Sequence, residues 1–172
     1  EPDGLNIINS YLKKNNCDFI FGSVMKKILR YGYRKYRIYW NFDFYSSHSS
    51  GFFIKRSSQN TLGNYNIKYK ISADYDLFYR MIIKEKMIGI ATKQNEIVGN
   101  FKSGTSYSSK FTFLEHLNEE TQIRLDNKQN IFVVILVFII HFIKNIKKID
   151  NKNKFNILMN SISKIFNKKI NS

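Results

Sequence analysis

Lys70-Ile71-Ser72-Ala73-Asp74-Tyr75-Asp76-Leu77-Phe78-Tyr79-Arg80 constrains the fold more than any other stretch, because it sets a helix and places an acid on its inward side. Ser72 is a good N-cap, and the pattern predicts a helix from there to about residue 86. Asp74, Phe78, Met81 and Ile82 fall at i, i+4, i+7 and i+8, so they share one face that is otherwise apolar. Asp76 falls with Arg80 and Lys84 at intervals of four, which predicts a surface ion pair worth only a few tenths of a kcal/mol. Two readings of Asp74 stay open. It is either a sheltered carboxylate kept ionised by the helix dipole, as a general base must be, or a second N-terminal carboxylate that satisfies backbone N–H groups.

The rest of the chain reads as α/β. Leu5, Ile8, Tyr11 and Leu12 share a helical face that Asp3 can cap, and residues 13–16 form a polar turn. Residues 18–24 then read as a buried strand ending at a Gly, which completes half of an α/β unit. Residues 26–39 mix Lys and Arg with Tyr31, Tyr33, Tyr36 and Tyr39; a pair of edge strands is expected there, with a base-stacking surface as the alternative. Residues 45–56 hold a loop with His48 and then a strand over Phe52-Phe53-Ile54, where the small neighbours, Gly51 among them, would let a ligand come close. Residues 57–69 are turn-rich. Short strands are expected at 88–91 and 96–101, a small-residue loop at 102–106, and a mostly polar helix over 111–127.

Residues 131–143 form a nearly pure apolar run of 13 residues, short of the roughly 18–20 that a membrane-crossing helix needs. Lys144, Lys147 and Lys148 follow at once. Phe155, Leu158, Ile162, Ile165 and Phe166 then line one face of a basic helix. Either this is an element lying on an anionic membrane surface, or it is a core helix with a solvated tail.

The net charge of +15 permits a polyanionic partner, but an abundance of Asn, Lys and Ile weakens that argument. The single cysteine, Cys17, excludes an intramolecular disulfide and a cysteine-based zinc cluster, and fits a reducing compartment. There is no Gly-rich phosphate loop, no His/Cys metal spacing and no Ser-nucleophile elbow. Glu1-Pro2-Asp3-Gly4 opens without Met or signal peptide, and the expectation is a chain entered in mid-domain.

Three blocks occur in order: His48-Ser49-Ser50-Gly51-Phe52-Phe53-Ile54-Lys55-Arg56, then Leu62-Gly63-Asn64-Tyr65-Asn66, then residues 69–80. Their order and spacing resemble the second half of a family 2 glycosyltransferase of the GT-A type. That family shows a His before an aromatic strand, a Leu-Gly turn, and an Ala-Asp-Tyr-Asp-type helix ending in Arg. Residues 102–106, Lys-Ser-Gly-Thr-Ser, resemble its later Gly-Gly-x-Ser loop, with Ser103 replacing one Gly. The resemblance covers residues 1–127, as the acceptor-side part of a GT-A domain, and leaves 128–172 as apolar and basic amphipathic C-terminal helices, for which both the membrane and the core reading stay open.

The resemblance implies a partial GT-A fold without its nucleotide-binding half. It implies inverting transfer of a sugar from a nucleotide-sugar donor to a glycan or lipid-linked hydroxyl, with Asp74 as general base. His48, Gly51, Asp76, Arg80, Gly104 and Ser106 would surround the substrates, and Arg80 would also have a structural role through Asp76. A divalent cation, Mg or Mn, would be held mostly by residues upstream of Glu1, so this stretch alone is expected to be inactive. The implied location is cytoplasmic, peripheral at the inner face of a membrane. The alternative is a non-enzymatic basic module that binds nucleic acid or an anionic membrane; nucleic acid is the lesser expectation, and this reading leaves the carboxylate on the apolar face unexplained.

Overall fold

Gly22 divides the apolar run 18–24 in two. A Cβ there would collide with the side chain of Val98, so the chain passes Val98 only because this residue has none. The computed structural model describes residues 3–40, 49–101, 112–149 and 154–170. On either side of Gly22 lie β1 (Phe19–Phe21) and β2 (Ser23–Met25), each the centre of a different three-stranded sheet. In the first, β1 runs antiparallel to β4 (Phe52–Ile54) and parallel to β5 (Gly89–Ala91), with Ile20 opposite Phe53 and Ile90. In the second, β2 runs antiparallel to β3 (Leu29–Arg30) and parallel to β6 (Ile97–Asn100), with a register shift between Ser23 and Val24. The protein is therefore mixed α/β, with small mixed sheets and, among the described residues, seven α-helices.

The chain forms two compact units. The first comprises residues 1–66 and 77–106 and holds both sheets. Its helix α1 (Gly4–Lys14) buries Ile8 against Cys17, Ile20, Val24 and Val98. A second cluster is aromatic: the rings of Phe19, Phe21, Tyr33, Phe52 and Phe78 meet at centroid distances from 4.7 to 6.3 Å. Asp18 ties the strands' ends together. It accepts from Ser58 Oγ at 2.8 Å and from the Ile88 N–H at 2.7 Å. Burial pushes the Cys17 thiol up, as for a structural cysteine.

The expected edge strands over 26–39 are reduced to the two residues of β3. Gly32 turns the chain at φ 79°, and α2 (Arg37–Trp40) follows. Tyr33 points into the aromatic cluster while Tyr31 and Tyr36 stay exposed, so the tyrosines do not pack on one side. The turn-rich segment from 57 contains a helix that its composition hides, α3 (Arg56–Leu62), which buries only Ser58 and Leu62. It ends at Gly63, whose φ of 77° favours glycine.

The second unit comprises residues 67–76 and 107–172. It packs α5 (Phe113–Asp126), α6 (Ile131–Lys144) and α7 (Lys154–Ile170) around Leu117, Ile123, Val134, Phe138, Phe142 and Ile165. Both expected helices of the C-terminal part form, and the boundary at 127/128 where the resemblance ends falls inside this unit. Thr112 and Glu115 make a reciprocal capping box at the start of α5. No helix among the described residues is long and apolar enough to cross a membrane.

Candidate functional site

Helix α4 (Ala73–Tyr79) starts where Ser72 predicts. The Ser72 carbonyl accepts from the Tyr75 and Asp76 N–H groups at 2.9 and 3.2 Å. It continues as a π-helical turn over Arg80–Lys84, and Lys86 leaves the helix with φ 51°. Phe78, Met81 and Ile82 are fully buried, as their spacing requires.

Of the two carboxylates, the one that spacing assigns to the surface is the buried one. Asp76 is 2 % exposed and accepts from Asn127 Nδ2 at 3.1 Å, so it is no member of a surface pair. Asp74 is half-buried. The reason is that the helix has no outward face here: every residue from Tyr75 to Tyr79 is 2 % exposed or less. A rule that sorts residues into one buried and one wet face fails for a helix buried all round.

Arg80 differs too. Its guanidinium donates to the carbonyl oxygens of Leu62 at 2.6 Å and Asn64 at 2.9 Å. Its structural role is thus to hold the Leu62-Gly63-Asn64 turn, and this joins two of the three sequence blocks physically. Gly51 is buried, and the space left by its missing Cβ is taken by Val24 Cγ2, 2.5 Å from where that atom would be. Its carbonyl accepts from the Gly22 N–H at 2.8 Å. His48, Gly104 and Ser106 lie outside the described residues.

The approach to Asp74 is fixed by a residue that spacing does not single out. The Glu119 carboxylate accepts from three successive backbone N–H groups: Lys70 at 2.8 Å, Ile71 at 2.7 Å and Ser72 at 2.6 Å. Beside it, Asp126 accepts from Lys68 Nζ, from the Tyr69 hydroxyl and from Gln122 Nε2, each at 2.6 Å. Burial, then this bond, then the charges of Asp126, Asp76 and Glu119 push the Tyr69 phenol well above its usual range. Arg124 is 1 % exposed, with its guanidinium 5.0 Å from the centre of the Tyr75 ring and Nη1 donating to Gln129 Oε1 at 3.1 Å. Sequence carried a signal for Arg124, since Leu117, Thr121 and Arg124 recur at i, i+4 and i+7 and all are buried. Nothing comparable marks Glu119 or Asn127.

Among the described residues no group of three or more His, Cys, Asp or Glu side chains gathers. Asp74 and Asp76, two positions apart on a helix, point about 160° apart and cannot converge on one ion. No protein-family model, curated protein or solved structure matches the chain.

Proposed function

We propose that the chain is the acceptor-side portion of a nucleotide-sugar glycosyltransferase of the GT-A type, with Asp74 as general base on the acceptor hydroxyl. One observation carries the reading: α4 holds two carboxylates, and they are divided in use. Asp76 is buried against Asn127, whereas Asp74 keeps part of its surface open. A general base must come within hydrogen-bond reach of a substrate proton, and of the pair Asp74 is the one with solvent access. The Glu119 clamp on residues 70–72 supplies the rigid support such a group needs. Arg80 supports the same reading by holding the Leu-Gly turn to the helix that carries the acid.

In this mechanism Asp74 takes the proton from the acceptor hydroxyl as its oxygen attacks the anomeric carbon. The bond from that carbon to the nucleoside diphosphate breaks on the opposite face, which inverts the centre. Lipid-linked or glycan acceptors of surface polysaccharide or glycolipid synthesis are the substrate class. The leaving diphosphate and any cation that neutralises it belong to the donor half, and no step is routed through a metal here.

The test is nucleoside diphosphate release by the protein expressed from its whole reading frame, over a panel of nucleotide-sugars and lipid-linked acceptors. Asp74→Asn is expected to lower transfer by about a hundredfold or more while the melting temperature stays unchanged. Transfer by Asp74→Asn at the wild-type rate would remove Asp74 as the base. No donor turnover by the wild type across the panel would remove the enzyme reading.

A further inference from the structure

We infer that the outer face of α6 is a docking surface for an anionic lipid bilayer, on which the helix lies in the plane of the membrane. The inference goes beyond the glycosyltransferase reading in naming the helix face and the lipid charge, and it is argued from exposure and charge independently of that reading. Helix α6 is apolar all round, but it is not buried all round. Ile131, Val134, Val137, Phe138, His141 and Phe142 pack inward. On the other side, Phe132 is 73 % exposed, Leu136 48 %, Ile140 36 % and Ile143 59 %. At 100° per residue these four, with Val133 and Ile139, fall within an arc of about 120° that contains no polar side chain. The stripe is about 16 Å long, from residue 132 to residue 143.

Charge identifies the occupant. Exposed lysines bracket the stripe, Lys128 before it and Lys144 and Lys147 after it. From residue 127 to the end of the sequence there are nine lysines, and Asp150 is the one acid. An apolar stripe rimmed by lysines matches a bilayer of anionic lipid: the side chains enter the acyl boundary while the ammonium groups reach the headgroups. A second copy of the chain fits poorly. Two such stripes packed about a two-fold axis run antiparallel, which sets Lys128 of each copy against Lys144 and Lys147 of the other, or parallel, which sets each lysine beside its own copy; like charges meet at both ends either way. With 14 residues the helix is too short to cross the bilayer and must lie along it.

The experiment is flotation of the full chain with vesicles of phosphatidylcholine alone and with 30 mol % phosphatidylglycerol, alongside sedimentation equilibrium without lipid. The wild type is expected to partition at least tenfold more strongly onto the anionic vesicles, and to lose that excess in roughly 0.5 M salt. The double variant Phe132→Ser/Leu136→Ser, with far-UV circular dichroism as a check on folding, is expected to lose at least tenfold in partitioning. Lys144→Gln/Lys147→Gln leaves the apolar face intact and is expected to lose the preference for anionic lipid. The inference is overturned by equal partitioning of Phe132→Ser/Leu136→Ser and wild type. It is equally overturned by partitioning that ignores phosphatidylglycerol, or by a lipid-independent dimer that the same apolar substitutions dissociate.

Discussion

Removing the Glu119 carboxylate tests whether the approach to Asp74 is clamped as its hydrogen bonds indicate. Glu119→Ala leaves three N–H groups without their acceptor. Hydrogen bonds to a charged group contribute about 1.5–3 kcal/mol each, but those sharing one carboxylate are not additive. The Lys70 N–H lies at the surface and can turn to water, whereas Ser72 is buried. Counting the two sheltered bonds and allowing for hydration gives a loss of about 2–4 kcal/mol in the local stability of residues 70–72. Amide hydrogen exchange reads this segment directly and does not require the two units to unfold together. A loss of about 2 kcal/mol corresponds to roughly 30-fold faster exchange at Ile71 and Ser72. Glu119→Gln sharpens the test. Its one carbonyl oxygen can keep Ile71 and Ser72, but its amide then presents a donor to the Lys70 N–H, and the charge is gone. The expected order of protection is Glu, then Gln, then Ala. If Ala protects these amides as well as Glu does, the Glu119 side chain is not the clamp, and the support argued for Asp74 fails with it.

Other consequences are simpler to measure. Asp76→Ala should destabilise the protein by about 1–3 kcal/mol in urea melts, because it leaves a sheltered Asn127 amide without that partner. Arg80→Ala should cost a similar amount by freeing the Leu62 and Asn64 carbonyls, and Arg80→Lys should recover part of it, since one ammonium replaces a fork that reaches both oxygens. Burial pushes the Tyr33 phenol up to about 12, from 10.0. The folded state therefore favours the neutral phenol, and the stability this group contributes is full below pH 10 and lost as pH rises through about 12. Tyr33→Phe should remove that part of the alkaline loss in melts between these limits; an unchanged pH profile would show that the phenol does not titrate where its burial places it.

What the sequence reveals here depends on how local the deciding interaction is. The run over 131–143 is a helix because apolar residues at that length and spacing leave few alternatives, and the strands at 88–91 and 96–101 are read from β-branched pairs between turn residues. The Ser72 start is legible because capping is a property of one residue and its next few neighbours. The split of the 18–24 run is not legible, because it depends on Val98, which meets Gly22 only in the folded chain. Helix α3 is missed for the opposite reason: Arg-Ser-Ser-Gln-Asn-Thr-Leu has weak helix propensity and buries too little to leave a pattern. At the candidate site, spacing places Phe78, Met81 and Ile82 correctly and still misassigns Asp76, since no period separates a buried acid from an exposed one when the whole turn is enclosed.

With 28 basic residues against 13 acidic ones the chain carries an excess of +15, and the hydrogen bonds show where several of the acids are engaged. Many of those acids accept from neutral donors. Asp18 holds Ser58 and the Ile88 N–H; Asp76 holds Asn127; Glu96 holds Tyr11; Glu115 caps α5; Glu119 holds three backbone N–H groups. Such a carboxylate keeps its charge without contacting a lysine, so the excess of basic side chains sets the sign of the surface field. Lys144 and Lys147 are exposed at the end of α6, and surface charges of this kind contribute little to folding. Replacing both with Gln should therefore change stability by less than about 0.5 kcal/mol while weakening attraction to an anionic surface by roughly 1 kcal/mol for each lysine removed. A melting temperature that falls with the same pair would mean that these lysines are spent inside the fold, and the outward field would then need another source.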